Sequence, residues 1–195
     1  MDARRAGQPE ARTFLGLERA GWPPALAVAF VALFFAAGLP AIDRLVPGLA
    51  PIAPGTVVQV GMGVAFTPAD GWKLNRSAQA TVPGRQVEVT NGGTRFRVLV
   101  EPYGGTAQAK FDQVSKEIAK AFGIVVAPGS GASLATRSGL GGLRGSFTSL
   151  KTDGVYAVFV TRGTAIIATA LQPQSVNQGN AGDIAAMIDS ISAGP

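Results

Sequence analysis

The longest uncharged stretch of the chain constrains its architecture more than any other feature. Residues 20–42, AGWPPALAVAFVALFFAAGLPAI, lie between Arg19 and Asp43 and contain no charged residue. As an α-helix this segment would be about 34 Å long, which is enough to cross a hydrocarbon core of about 30 Å. Its prolines are confined to the two ends, where a helix tolerates them. We therefore predict one transmembrane helix over residues 20–42.

A cleaved signal peptide and a buried core helix are the alternatives for this stretch. The stretch is longer than the roughly 7–15 apolar residues of a signal peptide, which argues against the first alternative. It is apolar on every side of the helix, which argues against a buried core helix. Four arginines precede it, whereas Arg44 is the only basic residue in the 30 positions that follow. The positive-inside rule then predicts a disordered cytoplasmic tail over residues 1–19 and an extracytoplasmic C-terminal part. The opposite orientation is the alternative.

Two further segments follow the predicted helix. Residues 43–55 carry three prolines and two glycines, a composition typical of a spacer, so we predict a Pro/Gly linker there. Residues 56–195 are long enough to enclose one hydrophobic core. They are predicted to form a single domain on the outer side of the cytoplasmic membrane.

The composition of the chain argues against several classes of site. The sequence has no cysteine and no histidine, which excludes thiol nucleophiles, disulfides, most transition-metal sites and most hydrolase triads. Its net charge of +5 comes from scattered basic residues, without the clustering that tracks a nucleic-acid backbone. The lysines Lys110, Lys116 and Lys120 are predicted to lie on an exposed helix face. We therefore expect no enzyme, no metal, no cofactor and no nucleic-acid partner.

Strands dominate the predicted domain. In TRFRVLVEPY, Phe96 and Val98 face one side of a strand while Arg95 and Arg97 face the other. The segments GVYAVFVTRG and TAIIATALQ are apolar at almost every position, which is typical of central strands covered on both sides. The dipeptides Gly92-Gly93 and Arg162-Gly163 predict hairpin turns.

Two amphipathic segments predict helices. In AQAKFDQVSKEIAKAF an apolar stripe follows the N-cap candidate Thr106, and Gly123 is placed to end the helix. The segment AGDIAAMIDSIS gives a second stripe near the C-terminus. Together with the strands, these predict an α+β fold in which helices cover both faces of an antiparallel sheet, an α/β/α sandwich.

The glycine-rich stretch SGLGGLRGSF, residues 138–147, resembles a phosphate-binding loop at first sight. Gly139 and Gly141 match the first two glycines of the dinucleotide fingerprint, but Arg144 stands at the third glycine's position. The segment also lacks the Gly-Lys-Ser/Thr of a P-loop, and strands follow it. We interpret it as a glycine-bearing strand against which a helix packs closely.

Five residues are candidates for binding a partner. Arg95 and Arg97 form either an anion-binding edge or an ordinary solvated strand face. Arg144 is the one residue of the glycine-rich stretch that we expect to face a partner. Tyr103 and Tyr156 suit a buried sheet and a binding groove equally well.

Four segments carry a resemblance to a known fold: GVAFTPADGW, FDQVSKEIAKAF, GLGGLRGSFTS and DIAAMIDSIS. In this order they resemble the PsbP-like fold superfamily and, more narrowly, the LpqN-type exported proteins of mycobacteria and other actinobacteria. The resemblance covers roughly residues 57–191. It implies a non-catalytic accessory or assembly factor that docks on membrane complexes or serves envelope lipid transport. The acylated cysteine of the family's lipoproteins is missing here, and the predicted helix would replace it as the anchor.

The leading expectation is a single-pass protein of the cytoplasmic membrane that binds envelope proteins or lipids on its outer side. An integral membrane complex or an envelope lipid would be its partner. A carrier of small apolar ligands is the alternative, and it requires an open pocket of at least ~300 Å³ between helix and sheet. A hydrolase that uses Ser and Lys or carboxylates comes third.

Overall fold

The computed structural model describes residues 13–14, 17–18, 48–81, 84–124, 131–174 and 179–194. The predicted transmembrane helix lies outside these residues, as do most of the predicted tail and the start of the linker. Across the described ranges, no helix combines the length and the apolar character needed to span a bilayer. Within the predicted tail, β1 (Thr13–Phe14) and β2 (Leu17–Glu18) form a two-residue antiparallel pair.

The chain from Pro47 to Pro195 forms a separate unit built around β-sheet. Its elements are β3 (Leu49–Pro51), β4 (Val58–Gly61), β5 (Val64–Phe66), β6 (Lys73–Asn75), α1 (Arg76–Thr81), β7 (Gln86–Asn91), β8 (Thr94–Pro102), α2 (Ala107–Phe122), β9 (Ala132–Ala135), β10 (Gly141–Thr148), β11 (Thr152–Thr161), β12 (Thr164–Pro173), α3 (Ala181–Asp189) and β13 (Ser192–Ala193). Eight strands pair in the order β3-β6-β7-β8-β12-β11-β10-β9, and a smaller sheet has the order β13-β5-β4. All of these pairs are antiparallel. The predicted antiparallel sheet with a few helices is confirmed.

The domain begins earlier than the predicted boundary at residue 56. Strand β3 lies inside the segment predicted as a Pro/Gly linker and pairs with β6 at one edge of the large sheet. Proline lacks a backbone N–H, which is no obstacle on an edge strand because one side of that strand needs no partner. Pro51 is therefore compatible with sheet pairing, and the proline content alone led to the wrong boundary.

The hairpins around the central strands follow the sequence closely. Strands β11 and β12 pair over their full lengths and occupy inner positions of the sheet, as their apolar composition predicts. Arg162 and Gly163 connect them with φ angles of 47° and 75°. Two successive positive φ values define a type I′ turn, whose twist matches that of the paired strands. Gly92 and Gly93 make the equivalent turn between β7 and β8.

Helix α2 has the predicted ends. The Thr106 side chain accepts a hydrogen bond from the backbone N–H of Ala109 at 3.2 Å, which satisfies one of the free donors of the first turn. Gly123 ends the helix in the left-handed region, at φ 64°, and its N–H donates to the Ala119 carbonyl. These caps fix where the helix begins and ends.

Buried side chains form two hydrophobic clusters. The first joins one side of the central strands to α3 and to the smaller sheet; it includes Trp72, Phe159 and Met187. The second joins the alternate strand positions to α2 and includes Phe111 and Val158. Trp72 anchors the first cluster, since its ring is buried and its Nε1 donates to Asp183 at 3.0 Å.

The glycine-rich stretch is a strand, as predicted, but its glycines serve a different neighbour. It forms β10, and a Cβ atom added to Gly145 would lie 2.5 Å from Cζ of Tyr156. A Cβ on Gly142 would lie 2.4 Å from Cδ1 of Phe159. Both rings belong to the adjacent strand β11. The glycines therefore make room for cross-strand aromatic rings, and the predicted reason, a closely packed helix, was wrong.

Candidate partner-binding surface

Strand β8 presents its two arginines to solvent. Phe96, Val98 and Val100 are fully buried, and the intervening Arg95 and Arg97 are exposed. This alternation was predicted, and it follows from the opposite orientation of successive strand residues. The structure therefore places these two predicted residues side by side on one face of the sheet.

Arg97 is fixed in place by a buried carboxylate. Its Nε and Nη2 both donate to Oε2 of Glu88, at 3.1 and 2.9 Å, from the adjacent position on β7. The other carboxylate oxygen, Oε1, accepts from Nδ2 of Asn75 at 2.8 Å. Only 4% of the Glu88 side chain is exposed, against 46% of Arg97. The pair compensates the buried charge of Glu88 and holds the guanidinium at the surface.

Arg95 has no such acceptor among the described residues. In the sheet it lies beside Thr90, and Thr90 lies beside Lys73 of β6, so both cations belong to one row across three strands. Two strand spacings separate their backbones by roughly 10 Å. Lys73 is exposed and is a residue that the sequence analysis missed, because strand pairing alone brings it near Arg95. We call Lys73, Arg95 and Arg97 the basic face.

A groove runs along helix α2 beside the basic face. A cavity of about 230 Å³ is lined on the sheet side by Arg97, Leu99 and Ile167, and on the helix side by Val114 and Ile118 among others. A smaller cavity of about 70 Å³ lies between the two arginines. The apolar side chains that line this groove and the arginines beside it together suit a partner segment in which an acidic side chain stands next to apolar ones.

Tyr103 lies just after β8, where it covers a buried lysine. Lys110 is only 4% exposed, forms an ion pair with Glu101, and places its Nζ 5.3 Å from the centre of the Tyr103 ring. Its Nζ also donates to Oε1 of Gln113 at 3.2 Å. The prediction that Lys110 lies on an exposed helix face was wrong.

The spacing along α2 explains the burial of Lys110. It precedes Val114 and Ile118 by four and eight residues, so it shares their buried face. Lys116 and Lys120 are exposed, as predicted. The spacing of Lys110 from Val114 and Ile118 therefore indicated a buried position, although a charged side chain is ordinarily expected at the surface.

Tyr156 belongs to the core and not to a binding groove. It is fully buried, and its ring stacks on that of Phe111 at a centroid distance of 5.0 Å. Its hydroxyl lies 2.7 Å from Oγ of Ser115. Since Oγ of Ser115 donates its proton to the Phe111 carbonyl at 2.8 Å, the tyrosine hydroxyl is the donor in this pair. The hydroxyl groups of Tyr156 and Ser115 thus have hydrogen-bond partners inside the protein, so Tyr156 is not part of a partner-binding surface.

Arg144 is exposed on β10 but lies on the other side of the sheet from the basic face. It pairs with Ala157, whereas the row that contains Arg97 runs through Thr169 and Tyr156 to Gly145. Neighbouring rows point to opposite faces. Of the five candidates, only Arg95 and Arg97 are brought together.

The charged side chains of the described residues include the ion pairs Arg97–Glu88, Lys110–Glu101 and Arg137–Asp189. No group of three or more Asp or Glu side chains in the described part of the chain is arranged to hold a metal ion. The guanidinium and ammonium donors of the basic face suit the binding of an anionic group.

Comparison with known proteins gives a likeness of fold. No protein-family model matches the sequence, and no curated protein matches it. The cyanobacterial PsbP protein (CyanoP) of Synechocystis sp. PCC 6803 has a similar solution structure, with 12% identity and a TM-score of 0.49 over 76% of this chain and 94% of that one. A crystal structure from Bacteroides thetaiotaomicron VPI-5482 is similar over 76% of this chain and 49% of that chain, with 13% identity and a TM-score of 0.39. The narrower LpqN-type resemblance remains a prediction.

Proposed function

We propose that this chain is a membrane-anchored, non-catalytic accessory or assembly protein. Its domain would lie on the outer side of the cytoplasmic membrane and dock an acidic segment of an integral membrane protein complex. The observation that carries the proposal is the basic face, where Arg95 is exposed beside Lys73 with no acceptor among the described residues. The LpqN-type resemblance of the sequence agrees with such a role in the actinobacterial envelope.

The chemistry of the basic face supports docking of a protein. Arg97 is already oriented by Glu88, so little side-chain entropy is lost when it meets a partner. Arg95 offers all five guanidinium donors. The adjoining groove exposes parts of Leu99 and Phe122, and arginine beside apolar side chains is a common composition of interface centres.

Three cavities lined by described residues measure about 250, 260 and 230 Å³, and each taken alone is smaller than the ~300 Å³ at which small-ligand pockets begin. We propose a three-layer arrangement with α2 and α3 on opposite faces of the sheet, which the two core clusters support. The partner would dock on the exposed part of the sheet around Arg95.

The absence of cysteine from the sequence makes the proposed topology directly testable. A single cysteine is introduced at Leu150, which is 97% exposed, or at Ala6 in the predicted tail. Intact cells are then treated with a membrane-impermeant maleimide. We expect labelling of Leu150→Cys in intact cells and of Ala6→Cys only after permeabilisation. The reverse pattern would place the domain in the cytoplasm and overturn this part of the proposal.

Site-specific photocrosslinking tests the docking surface. A photoreactive residue replaces Thr90, which lies between Lys73 and Arg95 in the sheet, and the full-length variant is produced in cells. In a control variant the photoreactive residue replaces Ser133 of β9 instead. We expect the Thr90 position to capture an integral membrane protein with an acidic extracytoplasmic segment, and Arg95→Glu to abolish the capture. Arg144→Glu, which reverses an exposed arginine on the other face, is the matched control. Capture that survives Arg95→Glu, or capture of lipid alone, would contradict the proposal.

A further inference from the structure

Two adjacent cavities connect the basic face with the apolar side of helix α2. The smaller cavity, of about 70 Å³, is lined by Glu88, Arg95, Arg97, Thr169 and Leu171. The larger cavity, of about 230 Å³, shares Arg97 and Thr169 with it and continues past Leu99 and Ile167 to the helix. A charged cavity and a mostly apolar one therefore lie next to each other.

The lining of the smaller cavity carries a single net positive charge. It contains two guanidinium groups and one carboxylate, that of Glu88. Glu88 is 4% exposed and accepts two hydrogen bonds from Arg97 through Oε2, so it balances the charge of Arg97. Arg95 lines the cavity as an exposed cation, and Lys73 stands two strands away. A monoanion balances the lining, whereas a dianion would place excess negative charge close to the buried carboxylate.

The volume of the smaller cavity favours a small anionic group. A water molecule takes up roughly 30 Å³ in the liquid, and the cavity measures about 70 Å³. This space suits a planar carboxylate better than a bulkier, tetrahedral phosphoryl group. The planar guanidinium of arginine donates paired hydrogen bonds to a carboxylate, and Thr169 adds a hydroxyl to the lining.

The larger cavity lies further along strand β8 in the direction of Leu99. Arg95, Arg97 and Leu99 are alternate residues of this strand, so they point to one face at intervals of roughly 7 Å. Alternate residues of an extended partner segment have the same spacing. A carboxylate held by the two arginines therefore brings the side chain two positions away over Leu99 and towards Val114 of the helix. Glu117 lines the helix side of this cavity and disfavours a second acidic side chain there.

We propose that these two cavities recognise an extended protein segment in which Asp or Glu stands two positions from a large apolar residue. The carboxylate enters the smaller cavity and accepts hydrogen bonds from Arg95 and Arg97, while the apolar side chain lies against Leu99 in the larger one. Glu88 is the positioning residue: it holds the Arg97 guanidinium and selects a carboxylate over a phosphoryl group. This recognition rests on the proposed function and deepens it, because it gives the docked segment a sequence pattern.

Peptide binding to the full-length protein in detergent micelles, measured by fluorescence anisotropy, tests this recognition. The probe is the labelled heptapeptide Ser-Leu-Thr-Asp-Thr-Leu-Ser, in which a Leu stands two positions from Asp on either side. Three further peptides replace Asp by Asn, Asp by phosphoserine, or both Leu by Ser. We expect the Asp peptide to bind about tenfold or more tightly than the Asn peptide, the discrimination that one charged hydrogen bond gives. The phosphoserine peptide and the peptide without Leu should also bind more weakly than the Asp peptide.

Protein variants assign these preferences to individual residues. Arg95→Gln should abolish the preference for Asp over Asn, whereas Arg144→Gln, at an exposed arginine on the other face, should keep it. Glu88→Gln raises the charge of the cavity lining by one. It should shift the preference towards phosphoserine by about fivefold or more, the effect of one unit charge at about 4 Å in water. Melting temperatures measured in parallel show that each variant is folded, and the comparisons on the wild type need no variant.

Several results would overturn this recognition. They are equal binding of the Asp and Asn peptides, equal binding with and without Leu, tighter binding of phosphoserine than of Asp to the wild type, an unchanged preference in folded Glu88→Gln, or no binding of any peptide. Photocrosslinking from Thr90 that depends on Arg95 would still support the proposed function in each of these cases. Conversely, the expected peptide preferences without a captured membrane protein would keep the recognition and refute the proposed function.

Discussion

Replacement of Gly145 by alanine is expected to destabilise the domain because the new methyl group has no space. The added Cβ would lie 2.5 to 2.7 Å from Cζ, the hydroxyl oxygen and Cε1 of Tyr156, well inside the van der Waals contact distance. The ring cannot swing away freely, since it stacks on Phe111 and its hydroxyl is bound to Ser115. Overpacking of this kind costs about 1–3 kcal/mol.

The matched control lies on the same strand. Gly141 is exposed, and a Cβ added there would have no atom within 4 Å. Gly141→Ala removes conformational freedom from the unfolded chain without adding a contact, so we expect it to be neutral or slightly stabilising. The two substitutions make the same chemical change in one strand, and only the cross-strand neighbour differs.

Thermal unfolding of the full-length protein in detergent, followed by far-UV circular dichroism, measures the difference. A destabilisation of about 2 kcal/mol corresponds to a fall in Tm of about 6 °C for a domain of this size. Gly141→Ala should melt between the wild-type temperature and about 3 °C above it. Equal melting temperatures for the two variants would refute the steric argument, and with it the assignment of β10 against the Tyr156 ring.

Three further substitutions test individual contacts by the same unfolding measurement. Ser115→Ala leaves the buried hydroxyl of Tyr156 without its acceptor and should cost about 1–3 kcal/mol; a cost near zero would mean that the hydroxyl finds another acceptor. Thr106→Ala removes the N-cap of α2 and should cost about 1 kcal/mol, whereas Thr106→Ser should keep most of it. Trp72→Phe removes the hydrogen bond to Asp183 and part of a buried ring, so it should cost about 2 kcal/mol or more; stability equal to the wild type would show that this bond contributes nothing.

Part of the candidate site could be predicted from the sequence. The alternation in TRFRVLVEPY gives the exposed positions of Arg95 and Arg97 directly, because neighbouring residues in a strand point to opposite faces. Lys73 and Glu88 could not be found in this way. They reach the arginines through pairing of β6, β7 and β8, and register between strands is not written in the residues of one strand.

The sequence by itself determined the local features of this protein. The caps of α2, the turn at Arg162-Gly163 and the central position of β11 and β12 all depend on residues within a few positions of one another. Propensity, capping and apolar periodicity act over that distance, so they can be recognised without a structure.

Only the tertiary structure decided which side chains meet. It placed the buried Lys110 in an ion pair with Glu101, and Tyr156 in the core against Gly145. Each of these outcomes depends on an element that is distant in sequence and adjacent in space. The same glycine or lysine can be exposed or buried according to that neighbour, and the strand order and register that supply the neighbour arise only when the whole sheet is assembled.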